Sequence, residues 1–380
     1  MKRIYSILLT LCVSCTLFAQ LSIWNGSSDI WTKGAGTEAS PFLIESAEQL
    51  AFISDMVNGG VTTYKNTYFK LMTNIDLGRD AWVSMSFDGN FDGNNYTIVY
   101  HGEEPVFGGL GGTIKRLNVE STNGFAKNVE GTIMDCKYKG NNSMVQKAQY
   151  SNFINCVCIV EIPEFTQKGN YLGGVANEAN ECNFISCRIS GNIVGSFNED
   201  ITTWTYGNTD AYRKCNIFAA GLVALSQKCE YNQCVSNTNV RTEGVFGRRF
   251  EIGSTTVKMD AYAFAGGLIG LTVEDTIQNS QTRGTILEEH NGNDGGLIGI
   301  QSNYDENKIS TISNTFTLDT TFCYKVKYGA LARLDKILIG DWSSETGSPI
   351  LYNCYCSKNK TEASMKSASF PIILNTDSTV

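Results

Sequence analysis

Apolar positions along this chain recur in short bursts rather than at helical spacing, and one burst returns eight times between residues 114 and 356. The copies begin at Ile114, Ile133, Phe153, Phe184, Tyr231, Ile277, Ile312 and Leu351, with a small or apolar residue three and five positions later, as in Phe153, Cys156 and Cys158. Upstream of each stands a second short block, such as Gly109-Leu110, Met144-Val145, Gly221-Leu222-Val223 and Gly295-Gly296-Leu297-Ile298. Two short strands joined by a tight corner cannot bury an apolar face alone, so stacking successive copies is the physical way to close a core. The starts are 19, 20, 31, 47, 46, 35 and 39 residues apart. At about 3.3 Å per residue the two shortest periods hold only two or three strands with tight corners, one turn of a parallel β-helix. No copy carries the 3.6-residue spacing over about ten residues that a helical solenoid needs. The longer periods are the same turn with insertions, expected on the outside.

The rest of the chain reads as ends around this ladder. Residues 1–19 run from Lys2 and Arg3 through an apolar stretch, Ile4 to Phe18, to Ala19, the pattern of a cleaved secretory signal. That stretch falls short of the roughly 20 residues of a membrane span. Residues 20–105 are expected to form an α/β cap over the open end of the ladder, whose edge would otherwise be exposed. Ser46 and Gln49 have capping-box spacing, which predicts a short helix to Val57 with Leu50, Ile53 and Val57 on one face, stopped by Asn58-Gly59-Gly60. Strand patterns follow at Tyr68–Leu71 and Asn74–Leu77. The repeats then occupy 106–360, and a polar tail 361–380 closes the chain.

The stretch Trp31, Gly36-Thr37, Pro41-Phe42-Leu43-Ile44, Gln49-Leu50-Ala51, Asn74-Ile75-Asp76-Leu77, Trp82 and Phe91-Asp92-Gly93-Asn94, followed by Gly-Leu-Ile-Gly-type blocks with Asn-Cys partners, resembles the secreted GLUG-motif proteins of gut-type Bacteroidetes. Similar repeats accompany some IgA-specific metallopeptidases and bacterial surface adhesins. The resemblance covers residues 31 to about 356 and implies a right-handed parallel β-helix outside the cytoplasm. It implies no activity, because the repeats of that family are scaffolds or binding modules, and its peptidases carry their zinc motif elsewhere. Met144-Val145-Gln146 departs from the pattern, which leaves the register of that copy open.

Composition narrows the function. Removing Lys2 and Arg3 with the leader takes the net charge from −8 to about −10, and the longest basic run left is Arg248-Arg249, so a phosphate-binding face is disfavoured. Of 13 cysteines, 11 remain after the leader is removed. Exported chains ordinarily pair them. Here, however, Cys136, Cys156, Cys187, Cys234 and Cys354 stand at the same repeat position, where Ser280 and Thr315 replace them. Neighbouring parallel strands lie about 4.8 Å apart, too wide for a disulfide's roughly 3.5–4.5 Å Cβ spacing, so the expectation is an inward column of free thiols.

Candidate chemistry is sparse. The two histidines, His101 and His290, have no His-Glu-x-x-His spacing. Acidic pairs occur at Glu103-Glu104, Glu199-Asp200, Glu288-Glu289 and Asp305-Glu306, and the ordinary reading of each is a solvated loop. Asp88, Asn90 and Asp92, followed by Gly93, match the first half of an EF-hand calcium loop, but Val99 stands where the bidentate glutamate belongs. No motif implies a cofactor. The two longest periods are adjacent, so their insertions, 195–216 and 243–262, should emerge side by side. They carry Trp204, Tyr206 and Tyr212 in one, Phe246, Arg248, Arg249 and Phe250 in the other. Outward aromatics and arginines on a rigid scaffold suit contact with a glycan or a protein, against the alternative that they pack on each other as a satellite core. The expected function is therefore a non-enzymatic, adhesin-like binding protein at the cell surface or secreted, with a polysaccharide lyase or glycosidase as the alternative.

Overall fold

A computed structural model describes residues 21–79, 82–163, 171–196, 212–252 and 255–289, with shorter stretches beyond them to residue 356. The leader and the tail lie outside the described residues. Each coil consists of three short strands. In one coil they are Phe107–Leu110, Thr113–Lys115 and Asn118–Ser121. Each pairs in parallel with its counterpart one coil later, Ala126–Val129, Thr132–Met134 and Lys137–Gly140. Repetition builds three parallel sheets of 9, 11 and 13 strands, numbered here 1 to 3 in the order a coil visits them. The molecule is thus an all-β parallel β-helix, with one helix among the described residues.

The repeat register holds along its whole length. In sheet 2 the column Phe91, Ile114, Ile133, Phe153, Phe184, Tyr231, Ile277, Ile312 and Leu351 is directly paired from strand to strand. In sheet 3 the matching column runs Val119, Tyr138, Cys158, Ile189, Ser236, Thr282, Thr317 and Cys356. Met144-Val145 is in register too, since Val145 pairs with Ala126 and Ala176. Identical stacking brings like side chains together: Phe153, Phe184 and Tyr231 lie ring on ring with centroids 4.9 Å apart at each step. Such pairs add about 0.5–1.5 kcal/mol each beyond the area they bury.

The corners use a device that the composition hides. Between sheets 2 and 3 a single residue adopts the left-handed conformation in six successive coils: Arg116, Asp135, Asn155, Ser186, Gln233 and Asn279, with φ between 50° and 58°. None is glycine, although side chains rarely adopt this region. Interior packing and inter-coil bonds hold the turn; Arg116 N, for example, donates to Met134 O at 3.0 Å.

The ladders begin earlier than residue 106. Leu21–Ile23, Asn74–Asp76 and Thr97–Tyr100 already belong to sheet 3. Phe42–Ile44, Tyr68–Leu71 and Asn90–Asp92 belong to sheet 2. The region 20–105, expected as an α/β cap over the end of the ladder, thus carries the helix and also contributes strands to the same sheets. Their repeat lacks the Asn-Cys signature, but their alternation is the same, with Phe69, Ile75, Phe91 and Ile98 all buried. The helix spans Ala47–Asn58, packs against Met85–Phe87 and closes the end of sheet 1. Ser46 Oγ accepts from Gln49 N at 3.3 Å, while Gln49 Oε1 reaches back to Glu45 N at 2.7 Å, one residue before the amide expected.

The longer coils add a fourth sheet. Its strands are Tyr171–Gly173, Tyr212–Ala220, Val245–Ile252, Thr255–Gly266 and Gly292–Gly295. Sheet 3 lengthens beside it, with strands Arg188–Ser196 and Val235–Glu243. The described parts of the insertions read from the sequence as loops, 195–196, 212–216, 245–252 and 255–262, are therefore paired strand, while 197–211 lie outside the described residues.

Candidate functional site

Alternation along the fourth sheet sorts its residues onto two faces. Ala219 and Ala265 are fully buried in the main core, and Leu172 is nearly so. Their even-numbered neighbours Phe218 and Phe264 form a separate small cluster with Ala224, packed with Tyr171 and Leu271. The three rings stack with centroids 5.6 and 5.2 Å apart. A small cluster thus sits at the root of the fourth sheet, made of other residues than the insertion aromatics weighed from the sequence.

Farther out, register brings the two insertions together. Tyr212 lies opposite Lys258, and Lys258 opposite Arg249, so the three form one row across three strands. The next row is Arg213, Met259 and Arg248, and beyond it Lys214 lies opposite Asp260. The sequence-predicted Tyr212, Arg248 and Arg249 are therefore adjacent in the sheet. Trp204 and Tyr206 lie outside the described residues, in the segment 197–211 that links Ser196 to Tyr212. Lys258 escaped the sequence reading because only strand pairing places it between Tyr212 and Arg249.

The calcium-like residues lie in a different setting. Asn90–Asp92 is a strand of sheet 2, not a wrapped loop, and Phe87 and Phe91 on either side are buried with their rings 6.3 Å apart. Asp92 forms an ion pair with the Arg116 guanidinium and accepts from Asn94 N at 2.9 Å. Although partial burial opposes it, this contact leaves the Asp92 carboxyl below its ordinary range. Among the described residues no three His, Cys, Asp or Glu side chains group as a metal site would require. His101 sits beside Thr122 Oγ1 at 3.3 Å, and His290 lies outside the described residues.

Most of the perturbed titratable groups are inside the coils. Cys136, Cys156, Cys158, Cys182, Cys187, Cys229 and Cys234 are free thiols and buried. Burial pushes Cys136 up to about 12 and Cys158 and Cys234 well above the usual thiol range. A buried cysteine so raised is an unreactive one. A second interior column, two positions before the repeat start, runs Ser151, Cys182, Cys229, Asp275 and Ser310, each linked to the next by the backbone bond that follows it. Asp275 Oδ1 accepts from Cys229 N at 2.7 Å, and Oδ2 accepts from the Thr272 hydroxyl. Burial pushes this carboxyl up to about 7 against those hydrogen bonds. At 1 % exposure Asp275 faces no substrate. Its signal was present in the sequence, as the residue at the cysteine position of the Ile277 copy.

No protein-family model and no curated protein matches the chain. Among solved structures it is similar to a provisionally named immunoglobulin A1 protease from Bacteroides ovatus, at 18 % identity and a TM-score of 0.40, covering 90 % of this chain and 86 % of that one. A second, described as IgA1 protease, aligns at 14 % identity and a TM-score of 0.42 over 80 % of this chain and 21 % of that one. His-Glu-x-x-His does not occur anywhere in the sequence.

Proposed function

We propose that this chain is an extracytoplasmic, adhesin-like binding protein in which the β-helix is a rigid stem and the fourth sheet carries the recognition surface. The observation that carries the reading is the convergence of Tyr212, Arg248 and Arg249 on adjacent strands of a sheet that emerges only where the coils lengthen. A minimal coil offers short strands and tight corners, so distinctive chemistry has to come from what is added between coils. Trp204 and Tyr206, which lie outside the described residues, enter this proposal on the sequence alone. The leader supports export, and the ligand is a glycan or protein at a bacterial or host surface. The alternative, a polysaccharide lyase or glycosidase, needs a carboxylate pair or a base on an outer face. Of the acidic pairs, Glu103 and Glu104 are exposed in a turn and Glu288 and Glu289 end a strand.

The test is a glycan and surface-protein array run beside a depolymerisation screen on the same polysaccharides. Binding without turnover is expected, and it should be lost on Trp204→Ala/Tyr206→Ala while the melting temperature stays within the span of about 1 kcal/mol. Turnover of any glycan would replace this reading with the enzymatic one.

A further inference from the structure

Away from the fourth sheet, one stretch of the coil surface departs from the rest. In sheet 2 the residue after each buried column position faces outward, because side chains alternate along a strand. Along that outer column Asp92 and Lys115 are followed by Met134, Ile154 and Ile185, and then by Asn232, Gln278 and Ser313. The apolar run is thus confined to three coils, and Ile185 at its end is 38 % exposed. On the other side of the buried column, Thr132, Asn152 and Asn183 stand in register. Their side chains are tied to one another: Asn183 Nδ2 donates to Asn152 Oδ1 at 2.9 Å, and Asn152 Nδ2 to Thr132 Oγ1 at 3.5 Å. Tyr150, at the corner where the middle coil enters sheet 2, is 60 % exposed. Its backbone is left-handed, with φ 50°, but so is that of Glu181, Lys228 and Glu274 at the same corner of the following coils. The turn therefore does not call for an aromatic ring, and burial does not account for one.

We propose that this outer face of sheet 2, from Thr132 to Ile185, is a second binding site that takes an uncharged oligosaccharide, an inference that goes beyond the fourth sheet and does not depend on it. A sugar ring has an apolar face of C–H groups and a rim of hydroxyls. The Tyr150 ring suits the first, as do Ile154 and Ile185. Amides already fixed by their own hydrogen bonds offer donors and acceptors to neighbouring hydroxyls without first having to be ordered. Charge selects the class of sugar. In these three coils the charged side chains of sheet 2 and its two corners are Glu130, Asp135 and Glu181, all carboxylates. The cations Lys115, Arg116 and Lys228 stand in the bordering coils, with Arg116 paired to Asp92. A carboxylated or sulfated chain would lie against like charge, which costs affinity. Size argues against a protein partner or a second copy. At about 4.8 Å per coil and 3.3 Å per residue the face measures roughly 10 Å by 13 Å, a small part of the ~800 Å² that each partner of a stable protein complex buries.

The experiment titrates the full chain with maltotriose, cellotriose and mannotriose, and with trigalacturonate as the anionic comparison, read by isothermal calorimetry. At least one neutral trisaccharide should bind, with little dependence on salt, and trigalacturonate should bind roughly tenfold more weakly or not at all. Tyr150→Ala should weaken neutral binding roughly tenfold, Asn152→Ala should weaken it as well, and Tyr150→Phe should keep it, with circular dichroism melts reporting that each variant is folded. Should Tyr150→Ala not fold, Tyr150→Asn, which suits a left-handed corner, answers the same question. The same titration in Trp204→Ala/Tyr206→Ala separates the two sites. Binding that persists there belongs to sheet 2; binding lost there belongs to the fourth sheet, which overturns this inference and leaves the proposed function standing. No binding of any neutral trisaccharide, equal or tighter binding of trigalacturonate, or neutral binding unchanged in a folded Tyr150→Ala overturns it too. A dimer in sedimentation velocity that Tyr150→Ala dissociates overturns it in favour of a contact between copies.

Discussion

The coils before Tyr231 and those after it fill the same interior positions with different chemistry. In the column three residues after each repeat start, Leu117 and then Cys136, Cys156, Cys187 and Cys234 give way to Ser280 and Thr315. In sheet 1, Leu110, Val129, Ala148 and Ala179 are followed at the same register by Ser226 and Thr272. In sheet 3, Tyr138, Cys158 and Ile189 are followed by Ser236 and Thr282. In these columns Ser226, Ser236, Thr272, Ser280, Thr282 and Thr315 thus put hydroxyls where earlier coils bury carbon and sulfur, and in sheet 3 cysteine returns at Cys356. They can do so because the hydroxyls of these columns are bonded: Ser280 Oγ donates to Gln278 O at 2.8 Å, Thr315 Oγ1 to Ser313 O at 2.9 Å, and Thr282 Oγ1 to Gly296 O at 2.7 Å, whereas Thr242 Oγ1, buried outside them, has no partner among the described residues. A satisfied buried hydroxyl costs little, whereas an unsatisfied one costs about 1–3 kcal/mol. A solenoid core therefore need not be uniformly apolar, provided that each rung closes its own hydrogen bonds.

The sharpest way to break the earlier half is to empty its aromatic column. Phe184 is fully buried between Phe153 and Tyr231, each ring 4.9 Å away. Phe184→Ala should cost about 3–5 kcal/mol, read from the midpoint of urea unfolding. In a stacked fold the loss should also spread, with amide exchange accelerating in the coils on both sides. A loss below about 1 kcal/mol would mean that the column is not a shared core.

The later half should instead respond to pH. The carboxyl of Asp275 titrates at about 7 in the folded chain because burial disfavours its charged form. In the unfolded chain an aspartate titrates near 3.9. Between those values the folded state holds the proton and the unfolded state does not, so stability is highest below about pH 4 and falls as pH rises to 7. Three pH units at about 1.4 kcal/mol each set an upper bound of about 4 kcal/mol. Asp275→Asn should remove this slope, so the difference between variant and parent, measured by urea titration from acid to neutral pH, should grow in the variant's favour. A parent and variant with parallel curves would show that the carboxyl is not buried as described.

Legibility followed the same division. The interior columns could be read from the sequence, since the starts from Ile114 to Leu351 and the cysteine positions fall where a period-two pattern puts them. The first coils were harder to read because Phe69 and Phe91 recur without cysteine partners, so their kinship shows only in the pairing. Corners such as Arg116 and Gln233 carry no glycine signal, because packing rather than propensity imposes their positive φ. The candidate site was legible in part. Tyr212, Arg248 and Arg249 could be named from residue type, but a strand partner forty-odd residues away, Lys258, is a fact of register.

The smallest effect tests what the cysteine column requires. Cys187 Sγ lies 3.3 Å from Phe153 O and 3.7 Å from Ile185 O, and the other members repeat this arrangement, with Cys156 Sγ 3.4 Å from Ile133 O and Cys234 Sγ 3.3 Å from Phe184 O. Ser280, farther along the same column, makes the equivalent bond to the carbonyl two residues back. From Cys136 onward, after Leu117 at its head, the column therefore selects a small side chain that can donate, which explains why cysteine, serine and threonine interchange there. Cys187→Ser should cost about 1 kcal/mol or less, since the hydroxyl keeps the donor and loses only some contact. Cys187→Val keeps the apolar volume and removes the donor, and it also adds a methyl to a filled corner, at a cost of about 1–3 kcal/mol. Measured side by side by urea unfolding, serine should be the milder change. If valine proves the milder one, hydrophobic burial rather than hydrogen bonding governs the column, and the passage from thiols to hydroxyls in the later coils needs another cause.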